Sequence, residues 1–198
     1  KLAAGTTVTV VEILAGKALV AGDEPVLEAE RIAAGILLQT PHAFLQRECE
    51  KLGVKLPAPG RYAAGMAFLP TDAPTRQTFE RMVEKVVRDE GQTFLGWRDV
   101  PFDNATLGPT AQASPPSIRQ FFVGRGEGLV DAMSFERKLY VIRKRAEQAI
   151  RYSGIPGGDQ FYICSLSFKT LIYKGMLTPT QVRGFFPDLS DPEFISAL

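Results

Sequence analysis

Apolar positions along the chain follow two periods. Phe135, Leu139, Ile142, Ala146 and Ala149 recur at steps of four and three, which places them on one face of a helix. Phe79, Met82, Val83, Val86 and Val87 do the same on a helix that ends at Gly91. Ser134 stands just before the first stripe, where a hydroxyl caps exposed amides. Between the stripes lie short runs rich in aromatic, branched and small apolar residues, at 35–39, 62–69, 93–100, 118–123, 161–167 and 170–174, and these predict strands. The last two are separated by Phe168 and Lys169 alone, a spacing that predicts a hairpin, although the pair lacks the glycine or asparagine of the favoured turns. Thr40-Pro41 is expected to cap a helix through Phe44, Leu45, Cys49 and Leu52, stopped by Gly53. Thr178-Pro179 opens another through Gln181, Val182 and Phe185. Four prolines within 101–116 predict a surface loop inside the domain. Residues 6–14 are strand-like, and 24–34 read as a helix that starts near Pro25. Strands alternate with helices, but the short two-stranded units argue against a purely parallel sheet, so the expected class is mixed α/β (α+β).

Composition narrows the function classes. With 198 residues, 45% hydrophobic and 23% charged, the chain is long enough for one domain with a sizeable core. A net charge of +1 gives no overall attraction to nucleic acid or an anionic membrane. No apolar run reaches membrane-spanning length and no signal-peptide pattern appears. Two cysteines are too few for a disulfide framework and fit a reducing, cytoplasmic setting. The chain starts at Lys1 without a methionine, which reads as a segment or a processed product.

Candidate chemistry is sparse. Cys49 lies on an apolar helical stripe and Cys164 inside a buried-looking strand, so both are expected in the core. His42, the sole histidine, is expected at the surface near a helix start, with no marked nucleophilic partner and no zinc-ligand spacing around it. Gly124, Gly126 and Gly128 lack the lysine-serine of a phosphate-binding loop, and 154–159 reads as a helix-to-strand connector. Arg137, Lys138, Arg143, Lys144, Arg145 and Arg151 make one helix basic, with Arg137, Lys144 and Arg151 aligned opposite the apolar stripe. Glu136 and Glu147 dilute that charge, so a solvated face outweighs an anion-binding one. Asp188 and Asp191, within Pro-Asp-Leu-Ser-Asp-Pro, read as turn and capping residues in preference to an acid–base pair.

A family resemblance runs through the same segments. The matching stretches are Gly-Ile-Leu-Leu-Gln at 35–39 with Pro41 and Phe44, Ala64-Gly65-Met66 with Phe68-Leu69-Pro70, and Gly96-Trp97-Arg98 with Val100-Pro101. They continue in Gly108-Pro109-Thr110, in 135–145, 161–167 and 173–179, and in 186–189 with Asp191 and Phe194. In this order they resemble the glutamine amidotransferase (glutaminase) domain at the front of the glutamate synthase large subunit, over roughly residues 35–198. The specificity lies in their number and order, since none is a catalytic signature. Residues 1–34 do not match. The family opens with a free N-terminal cysteine followed by glycine, and has a glycine-rich acidic loop before the Gly-Ile-Leu strand. Here Lys1-Leu2 and Arg31-Ile32-Ala33-Ala34 stand in those places.

The resemblance implies an N-terminal-nucleophile hydrolase-like αββα sandwich, with two antiparallel sheets between helix layers. It also implies hydrolysis of glutamine to glutamate and ammonia, the ammonia passing to a synthase domain that carries FMN and an iron–sulfur cluster and aminates 2-oxoglutarate. In the family the glutamine-binding and oxyanion motifs follow the point corresponding to Leu198, and the nucleophile precedes Gly35. No catalytic, cofactor-binding or metal residue is therefore assigned to this segment, and none of those cofactors is expected in it. The expected partners are the remainder of a glutamate synthase chain or its small subunit, with neither nucleic acid nor membrane. Phe185, Phe186, Leu189, Phe194, Ile195 and Leu198 crowd the end of the sequence, which predicts an incomplete folding unit prone to self-association. The alternatives are a noncatalytic amidotransferase-like scaffold that binds protein, and an anion- or nucleic-acid-binding module using the basic helix.

Overall fold

The computed structural model describes residues 13–14, 32–113 and 115–195. Its strands are β1 (Ile13–Leu14), β2 (Ile32–Gln39), β3 (Tyr62–Leu69), β4 (Thr93–Asp99), β5 (Ser117–Gly124), β6 (Tyr162–Ser167) and β7 (Thr170–Gly175). Its helices are α1 (His42–Glu50), α2 (Ala73–Asp89), α3 (Pro109–Ala113), α4 (Ala132–Arg151) and α5 (Pro179–Phe185), followed by a 3-10 turn at Pro187–Ser190. All strand pairs are antiparallel, in sheets ordered β1-β2-β7 and β4-β5-β3-β6. The mixed α/β class with antiparallel sheets and helices is the one expected.

Period-two alternation sends each strand of the larger sheet to two cores. Ala63, Ala67 and Leu69 of β3, with Phe121 and Val123 of β5, meet Phe79, Val83, Val86 and Val87 of α2 and Phe135, Leu139, Ile142, Ala146 and Ile150 of α4. On the opposite face Tyr62, Ala64, Met66, Ile118 and Phe122 join Ala34, Ile36, Leu38, Leu171 and Tyr173 of the smaller sheet in one shared core. Helices α1 and α5 close that core through Phe44, Leu45, Cys49, Val182 and Phe185. Full burial of each large side chain here contributes about 1.5–3 kcal/mol. At Gly65 the close approach is strict: a Cβ there would lie 2.3 Å from the Phe121 ring.

A bulge sets the parity of β6. Met66 pairs with Ser165 and Ala67 with Ile163, so Cys164 is the extra residue. It lets Ile163 and Leu166, three apart, both face the helices while Cys164 faces the shared core.

Several local expectations change. β6 and β7 share no backbone ladder: β6 pairs with β3 and β7 with β2, so Phe168 and Lys169 form a corner between sheets instead of a hairpin turn. One side-chain and one main-chain bond tie the corner down, Ser165 Oγ accepting from Ile172 N at 3.2 Å and Thr40 N donating to Lys169 O at 2.9 Å. Thr40 does not cap α1. The cap position is Pro41, and the Thr40 hydroxyl donates to Phe168 O at 3.4 Å. Leu52 lies beyond the end of α1 and is 54% exposed. The cap of α4 is Asp131, whose Oδ1 accepts from both the amide and the hydroxyl of Ser134. An acceptor carboxylate at this site also opposes the positive end of the helix, which a serine hydroxyl cannot do. The 101–116 loop holds the short helix α3. Of the predicted 24–34 helix, residues 32–34 are strand and the others lie outside the described residues. The 6–14 strand is seen only at Ile13–Leu14.

Candidate functional site

The deepest polar feature lies at one side of the shared core. Arg98 leaves β4 toward the 3-10 turn and is 5% exposed, as is Asp188. Its Nη1 and Nη2 donate to Asp188 Oδ2 and Oδ1 at 2.8 Å each, a two-pronged ion pair. Nη1 also donates to Gln120 Oε1 at 2.9 Å, Gln120 Nε2 donates to the Tyr173 hydroxyl at 2.8 Å, and that hydroxyl donates to Asp188 Oδ2 at 2.8 Å. The loop of contacts is closed, as a buried polar network must be to avoid the cost of an unpaired group. The guanidinium lies 5.2 Å from the Phe44 ring centroid, with Glu48 Oε2 at 3.5 Å. Burial pulls the Arg98 pKa down, but the bonds and charge of Asp188 outweigh it and hold the group above its ordinary value. Burial, reinforced by Asp188, raises Tyr173 well above the ordinary tyrosine value, so its hydroxyl remains a donor at neutral pH.

Outward from this network, a cavity of about 310 Å³ is lined by Phe44, Glu48, Arg98, Pro101, Pro187 and Asp191, among others. Arg47 donates to Asp191 of this lining at 2.7 Å and to Glu193 at 2.5 Å. Asp188 thus corrects the turn-and-cap reading: its carboxylate is buried against an arginine ninety residues away in sequence. Asp191 keeps part of that reading, since its Oδ1 accepts from Glu193 N at 2.9 Å.

A second concavity, about 530 Å³, opens where β3, β5, β6 and β7 end against the 101–116 segment. Phe68, Leu107, Ile118, Leu177 and Phe185 make it mainly apolar. Lys174 and Tyr162 supply its polar edge, Nζ donating to the hydroxyl at 2.8 Å and lying 4.5 Å from the ring centroid. Among the described residues no carboxylate pairs with Lys174. The cleft therefore suits a small ligand with an anionic end.

The thiols lie where expected. Cys49 is fully buried and burial pushes its pKa up to about 12; Cys164 is 3% exposed and burial pushes it up to about 11. Cys164 Sγ donates to Ile172 O at 3.7 Å, and no hydrogen bond joins either thiol to His42 among the described residues. His42 departs from its surface assignment: it is half-buried, with Nδ1 2.9 Å from the Tyr62 hydroxyl, and burial lowers its pKa. The glycine turn holds no anion cradle. Gly126 N donates to Gln92 Oε1 at 2.9 Å, and a Cβ at Gly126 would strike Gly91 O. On α4, Lys138 and Arg145 pair with Glu90, and Arg143 and Lys144 with Glu147.

A nucleophile, a base and an orienting group are not brought together among the described residues. What they do form is a closed scaffold with a cleft at one end. Sequence reasoning missed Arg98, Gln120 and Tyr173. One signal was present: Gln120 sits between Ile118 and Phe122 on a strand face that is otherwise apolar, which implies a buried partner.

Two antiparallel sheets sharing a core, with α2 and α4 packed on the larger sheet and α1 and α5 closing the shared core, match the architecture of an amidotransferase domain of the N-terminal-nucleophile type. The family model for class-II glutamine amidotransferases matches residues 28–198, and the chain belongs to that family. The glutamate synthase (NADPH) large chain of Bacillus subtilis is 45% identical over 164 residues, which cover 83% of this chain and 10% of that one. The glutamate synthase (NADH) of Schizosaccharomyces pombe is 38% identical over 169 residues, covering 82% and 8%. The glutamate synthase (NADPH) large chain of Azospirillum brasilense is 38% identical over 164 residues, covering 82% and 10%. The chain thus spans about a tenth of the length of these curated relatives.

Proposed function

We propose that these residues are part of the glutaminase domain of a glutamate synthase, in which glutamine hydrolysis supplies ammonia for the amination of 2-oxoglutarate. We further propose that the 198-residue chain alone releases no ammonia from glutamine. The placement of the thiols carries this second statement. The sequence has two cysteines, both in cores, with pKa values raised by burial to about 12 and about 11. At neutral pH the thiolate fraction of such groups is on the order of one part in ten thousand or less, and the thiolate is the nucleophile. The role of the segment is then to shape and support a site whose nucleophile is neither of these cysteines. In this reading FMN and the iron–sulfur cluster belong to the rest of a parent chain, because two buried thiols cannot supply the ligand set of a cluster. The partners are that remainder or its small subunit, the substrate is glutamine, and the setting is cytoplasmic. None of the described helices is long and apolar enough to cross a membrane. A noncatalytic scaffold that binds protein is the second reading, favoured by the exposed face of α4.

The test is ammonia release from glutamine by the chain and by its Cys49→Ser and Cys164→Ser variants. The expected rate is that of buffer in all three. Turnover by the parent chain that is lost in either variant would overturn the proposal, because it would identify an internal nucleophile.

A further inference from the structure

Helix α4 buries one face and leaves the other with an unusual composition. Among the described residues the exposed large hydrophobic side chains are Leu52, Val130, Met133, Tyr140, Val141, Tyr152, Met176 and Ile195, and five of these eight lie on α4 or at its two ends. Tyr140 is 61% exposed, Tyr152 84% and Val130 94%. At 100° per residue, Met133, Arg137, Tyr140, Lys144 and Arg151 fall within an arc of about 60°, directly opposite the buried stripe. Val141 flanks that arc, and Lys169 extends it at the N-terminal end, with Nζ 3.8 Å from Met133 Sδ.

The anions of this region are turned elsewhere. Glu136 accepts from Phe168 N, Glu147 is taken by Arg143 and Lys144, Glu90 by Lys138 and Arg145, and Asp131 caps the helix. Among the described residues Arg151 has no carboxylate partner, while Arg137 bonds the Ser134 hydroxyl and feels the Asp131 carboxylate only through charge. What remains is a convex ridge of tyrosine, methionine, valine and arginine with a net positive charge, on which Arg151 and Lys169 have no ion-pair partner among the described residues. Tyrosine, methionine and arginine are the residues enriched at protein interfaces, and a central aromatic with flanking charge is the usual anatomy of such a surface. Nucleic acid fits less well: single strands are held in grooves with interleaved stacking platforms, whereas this face is convex and half aliphatic.

We infer that the outer face of α4, centred on Tyr140 with Arg137, Lys144 and Arg151 around it, is a docking surface for an acidic protein face with an apolar centre. The relatives are several times longer than this chain, so the rest of a parent polypeptide is the source of that face. Only this choice of source rests on the function proposed above. The chemistry of the surface stands without it.

The probe is a fluorescently labelled, soluble copolymer of glutamate and tyrosine, titrated with the 198-residue chain at physiological salt and followed by anisotropy. The comparison variants are a triple substitution, Arg137→Glu with Tyr140→Ser and Arg151→Glu, and the control Lys55→Glu, an exposed lysine outside α4. All these positions are exposed, and circular dichroism checks that each variant stays folded. The expected result is saturable binding that the triple variant weakens about tenfold or more, the loss typical of an interface aromatic with its charges, while the control binds like the parent. No binding of the copolymer, or equal binding by parent and triple variant, would overturn the inference. So would a thymidine oligonucleotide or phosphatidylserine vesicles binding more tightly than the copolymer at the same salt, which would reassign the face to nucleic acid or membrane. The ammonia assay is independent of all these outcomes, so the two proposals fail separately.

Discussion

Replacing Asp188 with alanine strands the Arg98 guanidinium inside the shared core. In the intact protein both of its Nη atoms are bonded to that carboxylate at 2.8 Å, and both side chains are nearly inaccessible. Removing one partner of a buried pair costs about 3–5 kcal/mol, because the surviving charge is left uncompensated. Glu48 Oε2, 3.5 Å from Arg98, and the Gln120 carbonyl give partial relief, which favours the lower half of that range. The Tyr173 hydroxyl loses its acceptor at the same time, adding about 1 kcal/mol. The expected loss is therefore about 4 kcal/mol, a large part of the stability of an ordinary domain. Arg98→Met with Asp188→Leu together should recover most of it, since paired apolar replacements of a buried ion pair are often neutral. Urea unfolding followed by far-ultraviolet dichroism and by the fluorescence of Trp97, the single tryptophan, provides the measurement, with coincident curves as the test of two-state behaviour. A loss under about 1 kcal/mol for Asp188→Ala would refute the reasoning, because it would mean that Arg98 is neutralised by something other than Asp188.

Two further outcomes follow from single residues. Burial lowers the His42 pKa below its ordinary 6.5, so the unfolded chain binds the proton more readily and stability should fall as pH drops below about 6.5. His42→Gln should flatten this dependence between about pH 5.5 and 7.5, and unchanged slopes in urea titrations across that window would contradict it. Gly65→Ala should destabilise by about 1–3 kcal/mol, since the added carbon meets the buried Phe121 ring with no space to move, whereas Gly65→Ala combined with Phe121→Leu should recover part of the loss. A neutral Gly65→Ala would show that β3 and β5 shift apart freely.

Elements governed by local pattern were legible in the sequence. The inward stripes of α2 and α4 follow from the apolar period, and burial repeats them at Phe79, Val83, Val86, Val87, Phe135, Leu139, Ile142 and Ala146. Met82, by contrast, is half-buried, Ala149 is exposed with Ile150 buried beside it, and β3 is buried on both faces. Burial of Cys49 followed from the apolar stripe of α1, and burial of Cys164 from the apolar run of β6. Failures came where a distant partner decides. The 187–192 stretch has turn composition, and nothing within it announces that Asp188 meets Arg98. The corner at Phe168 and Lys169 was spaced like a hairpin, but the absence of glycine or asparagine was the sign that no tight turn forms there. At α4 both Asp131 and Ser134 offered caps, and the acid occupies the cap position while the serine donates to it.

The smaller sheet joins the two ends of the described chain. Gln39 of β2 pairs with Thr170 of β7, and everything in the larger sheet lies between them in sequence. Residues 62–124 can bring β3, β4 and β5 together with α2 through much shorter chain closures. The β2–β7 ladder must instead wait for a loop of some 130 residues to close, and such long-range pairing is slow because its entropy is lost before its contacts form. Order of assembly is therefore written into the connectivity: amides of β3 and β5 should gain protection from pulse-labelled hydrogen exchange before those of β2 and β7. In the interval the shared-core face of the larger sheet, with Tyr62, Met66 and Phe122, is open to solvent. The refolding chain is then most exposed to association with other chains at its inner layer, which in the folded protein is its best-protected surface.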